Sequence, residues 1–286
     1  MSGPQVGDPL VSGPQVGATQ DLGQRACLES HSIFTSAEDG DFAVPSVQRL
    51  ESLTREEALD VSAALELRRS AIAPRPWTWL RQVHGNRVVV VESPGQFAGE
   101  EADAAVTASA EAVLCVQTAD CASVLFQGVC DHQLPSGASE TCVVAVGAAH
   151  AGWRGIAAEI LQKTVDEMFL LGSERVIWQL GPCISPAFYE FGTADLQALV
   201  DRYDESLRGR TTHGQAALDL RAAVKAALKE TKAEQAEGQQ GDAQQIPCTA
   251  SQQGYYSWRA RQDTERQTAA TWMTVKNQSF LQELTQ

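Results

Sequence analysis

With 286 residues, 43% of them hydrophobic and 20% charged, the chain has the composition of a soluble globular protein able to bury a sizeable core, outside the disordered class. Its net charge of -14, from 36 acidic against 22 basic side chains, repels phosphate backbones and anionic lipid. Nucleic-acid polymers and membranes are therefore poor partners, while a small anion held at short range by an arginine or a helix N-terminus stays open. No run approaches the roughly 18 apolar residues of a membrane span, and the N-terminus lacks a basic-then-apolar secretion signal. Seven cysteines, an odd number without a C-x-x-C pair, predict a reduced protein of the cytoplasm.

Taken in chain order, the first element is a repeat, Ser2-Gly3-Pro4-Gln5-Val6-Gly7 recurring as Ser12-Gly13-Pro14-Gln15-Val16-Gly17. It is rich in Gly and Pro and poor in residues that nucleate packing, so residues 1–20 read as a flexible tail and 21–286 as one catalytic domain. A helical pattern covers 55–69, followed by short apolar runs at Val88-Val91, Val113-Val116, Ser123-Phe126 and Cys142-Ala149. Between the last two, Asp131-Glu140 is polar and turn-rich and reads as a surface loop. A single helix is predicted over Ile156-Leu171, with Ile156, Ile160, Thr164 and Met168 at i, i+4 spacing and Gly172 as its stop. A strand over Arg175-Leu180 ends in the turn signal Gly181-Pro182, helical patterns cover 194–208 and 217–231, and 232–245 reads as a solvated loop. Short β-branched runs interleaved with helices predict an α/β domain around a mixed, largely buried sheet.

Three segments place a metal-competent or nucleophilic side chain where an apolar run meets a turn: Gln82-Val83-His84-Gly85, Thr118-Ala119-Asp120-Cys121 and His150-Ala151-Gly152-Trp153-Arg154-Gly155. Two imidazoles and a thiolate suit zinc, and three protein ligands leave a fourth tetrahedral position for water or substrate. Each residue also has a plainer reading: Cys121 as a small buried hydrophobe, His84 as a hydrogen-bonded turn residue, His150 as a core histidine. Gly152 and Gly155 flank Trp153-Arg154 at the start of the predicted helix, where backbone N-H groups, the helix dipole and the Arg154 fork would together hold phosphate. An arginine paired with a carboxylate is the alternative.

These motifs, with Asp103-Ala104-Ala105-Val106-Thr107, Gly181-Pro182-Cys183-Ile184, Phe188-Tyr189-Glu190, Asp219-Leu220 and Cys248-Thr249 in that order, resemble the YfiH-like, or laccase-domain, family over about residues 80–260. The resemblance implies a single layered α/β domain and a zinc ion on His84, Cys121 and His150. It also implies a purine nucleoside enzyme that phosphorolyses adenosine, inosine and methylthioadenosine and deaminates adenosine to inosine. Its small-molecule partners would be nucleoside and phosphate, with Cys121 and Arg154 in catalysis and Arg154, Gly152 and Gly155 on phosphate.

The chain departs from the family pattern in several places. A Gly-Gly-Val-Ser loop usual near the N-terminus is absent, His31-Ser36 running straight into Ala37-Gly40; Ser-Tyr-Arg-Arg appears as Ser257-Trp258-Arg259-Ala260-Arg261; the following Thr-Gly-Arg appears as Thr264-Glu265-Arg266; and the stretch between Cys121 and His150 is longer than usual. Three competing functions follow. A polyphenol oxidase needs many imidazoles for its copper centres and the chain has five histidines, so copper would bind adventitiously at the one site. A Cys121-His150 pair would hydrolyse an amide of a cell-wall precursor. A metal-stabilised binding module would keep the ligands without turnover.

Overall fold

A computed structural model describes residues 27–45, 51–133, 137–237 and 246–276. The repeat of residues 1–20, with its reading as a flexible tail, lies outside the described residues. Twelve strands are assigned among them, ten forming one mixed sheet: β1 (Leu28–Phe34), β2 (Trp77–Thr78), β3 (Val88–Val90), β4 (Ala104–Thr107), β5 (Val113–Thr118), β6 (Ala122–Gln133), β7 (Ser139–Ala151), β8 (Arg175–Leu180), β11 (Glu234–Gln235) and β12 (Gln267–Val275). The other two, β9 (Arg208–Arg210) and β10 (Ala216–Leu218), form a separate ribbon. The main order is β11-β8-β6-β7-β1-β12-β5-β2, with β3 pairing β4 and β4 pairing β7.

The predicted mixed, buried sheet is what the structure shows: β3 to β4, β2 to β5 and β8 to β11 run parallel and the other main-sheet pairs antiparallel. Both faces are covered, with Val124, Phe126 and Ala149 in a core cluster that includes Ile160 and Met168, and Leu125, Ala148 and Met273 in a second one. That double coverage explains why the strands read as continuous apolar runs rather than alternating patterns.

One edge of β7 is shared. β4 pairs its C-terminal half, from Ala104 opposite Ala149 to Thr107 opposite Val146, while β1 touches its N-terminal part at Leu28 opposite Val143. The fork makes one end of β6 and β7 the place where three chain segments meet.

The helices are α1 (Arg55–Ile72), α2 (Trp153–Ala157), α3 (Ile160–Leu170), α4 (Thr193–Arg202), α5 (Leu220–Lys229) and α6 (Trp258–Arg261). The predicted single helix over 156–171 is corrected: it breaks at Glu159, which takes a left-handed φ of 67°. Side chains compete for the carbonyls at the break. Tyr203 Oη donates to Ile156 O at 2.8 Å and Asn86 Nδ2 to Ala158 O at 2.8 Å. Glu159 itself turns outward to accept from Arg202 Nη2 at 2.9 Å.

Two further expectations change. Of the expected surface loop at 131–140, residues 131–133 and 139–140 belong to the β6-β7 ladder, and 134–136 lie outside the described residues. Cys27 and Cys142 are joined as a disulfide rather than reduced, their Cα atoms 5.2 Å apart where β1 meets β7 and their sequence separation of 115 giving no local cue. The helix expected over 194–208 ends at Arg202, and that over 217–231 starts after the Asp219 side chain, which accepts from Arg221 N and Ala222 N. Of the expected loop at 232–245, residues 234 and 235 form β11, and 238–245 lie outside the described residues.

Candidate metal centre

The sheet fork assembles the site by register. Ala104 faces Ala149 across the β4-β7 ladder, so Asp103 and His150 are the next pair along; the His150 amide donates to Asp103 O at 2.7 Å. On the other edge of β7, Ala122 faces Ala151, so Cys121 meets the chain at Gly152. Ladder geometry alone thus brings a thiol, an imidazole and a carboxylate to one end of the sheet.

The third ligand arrives on a turn that the same carboxylate organises. Asp103 is fully buried, and its Oδ1 accepts from His84 N at 2.9 Å while Oδ2 accepts from Gly85 N at 2.7 Å and Val83 N at 3.3 Å. His84 takes a φ of 60°, a conformation non-glycine residues adopt only when surrounding contacts hold it there. The outcome is that the ligand atoms of His84, Cys121 and His150 all lie within 4.8 Å of one another, with His84 Nε2 3.8 Å from Cys121 Sγ.

The donor set fits a zinc ion on this geometry. Asp103 Oδ1 lies 2.8 Å from His150 Nδ1 and fixes that nitrogen as the N-H, leaving Nε2 as the metal-facing lone pair. The two imidazole rings stand nearly perpendicular, at 78° with centroids 4.8 Å apart, so that they converge on a common point rather than stack. Burial raises the Cys121 thiol, but the charge and hydrogen bond of His150 and the contact with His84 outweigh it and bring the group down to about 6. Burial likewise lowers His150, and the Cys121 thiolate and Asp103 carboxylate overcome that and hold it up at about 9. Without metal the centre is a thiolate-imidazolium pair, and the thiolate is the form that ligates.

Gly152 and Gly155, expected to cradle phosphate, have packing reasons for lacking a side chain. A Cβ on Gly152 would lie 2.7 Å from His84 Cδ2 and 3.3 Å from Cys121 Sγ; one on Gly155 would lie 3.1 Å from Gly85 O. Both glycines therefore let the His84 turn close on the other ligands. The helix that begins here, α2, has five residues, so the dipole expected of a sixteen-residue helix is not aimed at the site.

Arg154 is exposed, pairs with no carboxylate among the described residues, and lies over the Trp153 ring at 4.5 Å. Sequence reasoning passed over its counterpart, Arg259, which lies over the Tyr189 ring at 5.2 Å and likewise has no ion pair among those residues. Tyr189 is pushed up to about 12, by burial first and then by Cys121, with Arg259 and Arg154 opposing; its phenol keeps its proton at neutral pH. Phe191 packs edge-on against both Trp153, at 5.3 Å, and Tyr189, at 5.5 Å. Trp153, Phe191 and Tyr189 thus form an aromatic row with a cation over each end ring, and its Tyr189 end lies within electrostatic reach of Cys121.

Asp120 holds three neighbouring groups in place through its carboxylate. Its Oδ1 accepts from Thr249 Oγ1 at 2.8 Å and Ser257 Oγ at 2.7 Å, and its Oδ2 from Arg259 N at 2.6 Å. The Asn86 side chain is committed to Ala158 O. The signal for Asp103 was its position one residue before a buried run; Arg259 gave none beyond a departure from the family pattern.

Fold and site together define a class: an α/β protein built on a ten-stranded mixed sheet, with a three-residue cluster that could hold a metal ion. The chain belongs to the family described as multi-copper polyphenol oxidoreductase laccase, whose profile matches residues 50–274. It is 30% identical over 259 residues to purine nucleoside phosphorylase SCO2081 of Streptomyces coelicolor, covering 88% of this chain and 99% of that one. It is also 31% identical over 202 residues to purine nucleoside phosphorylase YfiH of Escherichia coli, covering 70% and 75% of the two. Against purine nucleoside phosphorylase PA4543 of Pseudomonas aeruginosa the identity is 41%, but the match spans only 45% of this chain and 47% of the relative. The fold resembles Neisseria meningitidis protein NMB0706, with a TM-score of 0.60 and 25% identity over 85% of this chain and 93% of that one.

Proposed function

We propose that the chain is a zinc-dependent purine nucleoside enzyme, which phosphorolyses adenosine, inosine and methylthioadenosine and deaminates adenosine. Zinc is bound by His84, Cys121 and His150. The observation that carries the reading is the convergence of these side chains, with Asp103 behind His150; Arg154 and Arg259, neither with a carboxylate partner among the described residues, support it. The names of the Streptomyces and Escherichia relatives support the substrate class. Zinc at such a site supplies Lewis acidity, activating water or polarising a substrate atom.

The chain's own groups supply the rest. Arg154 and Arg259 bind and orient phosphate, their charges opposing the repulsion set by the net charge of -14. Trp153 and Phe191 offer an apolar wall for a purine ring. Asp103 keeps the His150 tautomer. The Tyr189 phenol remains a hydrogen-bond donor at the rim.

Copper oxidase chemistry fits the geometry less well. Of the five histidines, His31 stacks on Trp272 and bonds Thr274, His132 contacts Cys130, and His213 is exposed, so two imidazoles converge on the centre. The amide-hydrolase reading has one observation in its favour, the lowered Cys121 thiol. Chromatography of adenosine incubated with the protein separates the cases. Adenine formed only with phosphate, and inosine formed with or without it, both lost on chelation, are expected; nucleoside returned unchanged overturns the proposal.

A further inference from the structure

At the far end of the β6-β7 ladder, a second set of ligating side chains shares one face of the sheet. Cys130 lies directly opposite Cys142, and His132 directly opposite Glu140. Directly opposed residues of an antiparallel pair project to the same side, with Cβ atoms about 4.5–5.5 Å apart. Within β6, Cys130 and His132 are two residues apart and so share that side; their Sγ and Nε2 atoms are 3.2 Å apart. Cys27 joins the group from the position just before β1, bonded to Cys142, and Glu140 has a carboxylate oxygen within 4.8 Å of both sulfurs. Eight residues of strand separate Cys142 from His150, about 25 Å at the usual rise, so the cluster is distinct from the zinc centre.

We propose that Cys27, Cys130, His132 and Cys142 form a second, redox-gated site for a soft divalent cation such as zinc, closed while the Cys27–Cys142 disulfide is intact and opened by its reduction. Three thiolates and one imidazole are the donor set of a closed tetrahedral zinc site. The disulfide accounts for Cys27 and Cys142 alone; it gives no reason for a third thiol and an imidazole in register beside them. In the oxidised structure the ligand atoms that converge within 4.8 Å are those of Cys27, Cys142 and Glu140, the last engaged by Lys276 at 2.7 Å; Cys130 and His132 complete the set only when reduction frees the Cys142 thiol to turn toward them. The surroundings favour a cation: burial and the nearby Glu174 and Asp131 carboxylates raise the Cys130 thiol, and bound metal would offset that negative charge.

The gate balances chemically. A dithiol or phosphine reductant delivers two electrons, the S–S bond breaks, and each sulfur takes up a proton; the dithiol leaves as a disulfide, or the phosphine as its oxide with oxygen from water. Metal binding then releases the three thiol protons while neutral His132 gives its free ring nitrogen. Reoxidation by a low-molecular-weight disulfide, which takes the two electrons and leaves as two thiols, re-forms the S–S bond, removes two of the four ligands and expels the ion.

The test uses the full chain before and after phosphine reduction and desalting under inert gas. Thiol titration in denaturant is expected to rise from five groups to seven on reduction. Cobalt titration is expected to gain one equivalent, with added near-ultraviolet thiolate-to-cobalt absorption in the reduced-minus-oxidised difference. Cys130→Ser and His132→Ala should each abolish that added equivalent and leave the cobalt bound by the oxidised protein unchanged. Seven thiols before reduction, no added equivalent after it, or an added equivalent that survives both substitutions overturns the proposal. Because the readout is a difference, it stands apart from the assignment of the first centre.

Discussion

Asp103 holds more of the site than any ligand does, through one carboxylate that binds His150 Nδ1 and three turn N-H groups. Asp103→Asn keeps the shape but replaces one acceptor oxygen with a donor facing N-H groups. Zinc affinity is expected to fall about 10–100-fold, the usual loss when a carboxylate behind a metal-bound histidine is removed; competition with a colorimetric chelator measures it, and an unchanged affinity removes Asp103 from the centre. Gly152→Ala adds a methyl 2.7 Å from His84 Cδ2, displacing that ring, so metal should be lost while the circular dichroism of the fold persists. In the metal-free protein, iodoacetamide at neutral pH should label Cys121 ahead of Cys115 and Cys183, which burial first of all pushes up to about 11 and about 12. Zinc should suppress that labelling, as peptide mass mapping would show.

At the scale of elements, the segment from Cys248 to Arg261 is fastened to the sheet end that carries the candidate site largely through Asp120, which has a φ of 114° and whose carboxylate accepts from two side-chain hydroxyls and one backbone amide. Asp120→Ala leaves two buried hydroxyls and the Arg259 amide without that acceptor. It should cost about 3 kcal/mol in urea unfolding and weaken phosphate dependence through Arg259, given about 1.5–3 kcal/mol for a hydrogen bond to a charged group; a loss below about 0.5 kcal/mol would contradict the fastening role. The strands β3, β5 and β8 and the helix α1 were legible in the sequence because each is a local run of one character. The break at Glu159 was not, because its cause is tertiary: Tyr203 and Asn86 reach in from 44 and 73 residues away to take carbonyls that a continuous helix would use. The ligands themselves were legible as residue types at strand ends. Their grouping depended on the register of β4, β6 and β7.

Over the whole molecule, an acidic chain with no helix among its described residues long and apolar enough to cross a membrane carries Arg154 and Arg259, neither in an ion pair among those residues, on rings of the candidate site. That placement makes a local attraction for phosphate within a repulsive field, an attraction that added salt would screen. Metal should also stabilise the fold, since an ion bound by residues from the β3-side turn, β6 and β7 binds the folded state and not the unfolded one. Acidification works against it: protons compete for the imidazoles and the thiolate, so zinc is released as pH falls.

The most direct test of the centre is zinc content by elemental analysis of protein purified without reductant, for wild type, Cys121→Ala and His150→Ala. The account predicts about one zinc per wild-type chain and little or none in either variant, with the α/β circular dichroism retained in all three. Full occupancy in both variants would contradict it.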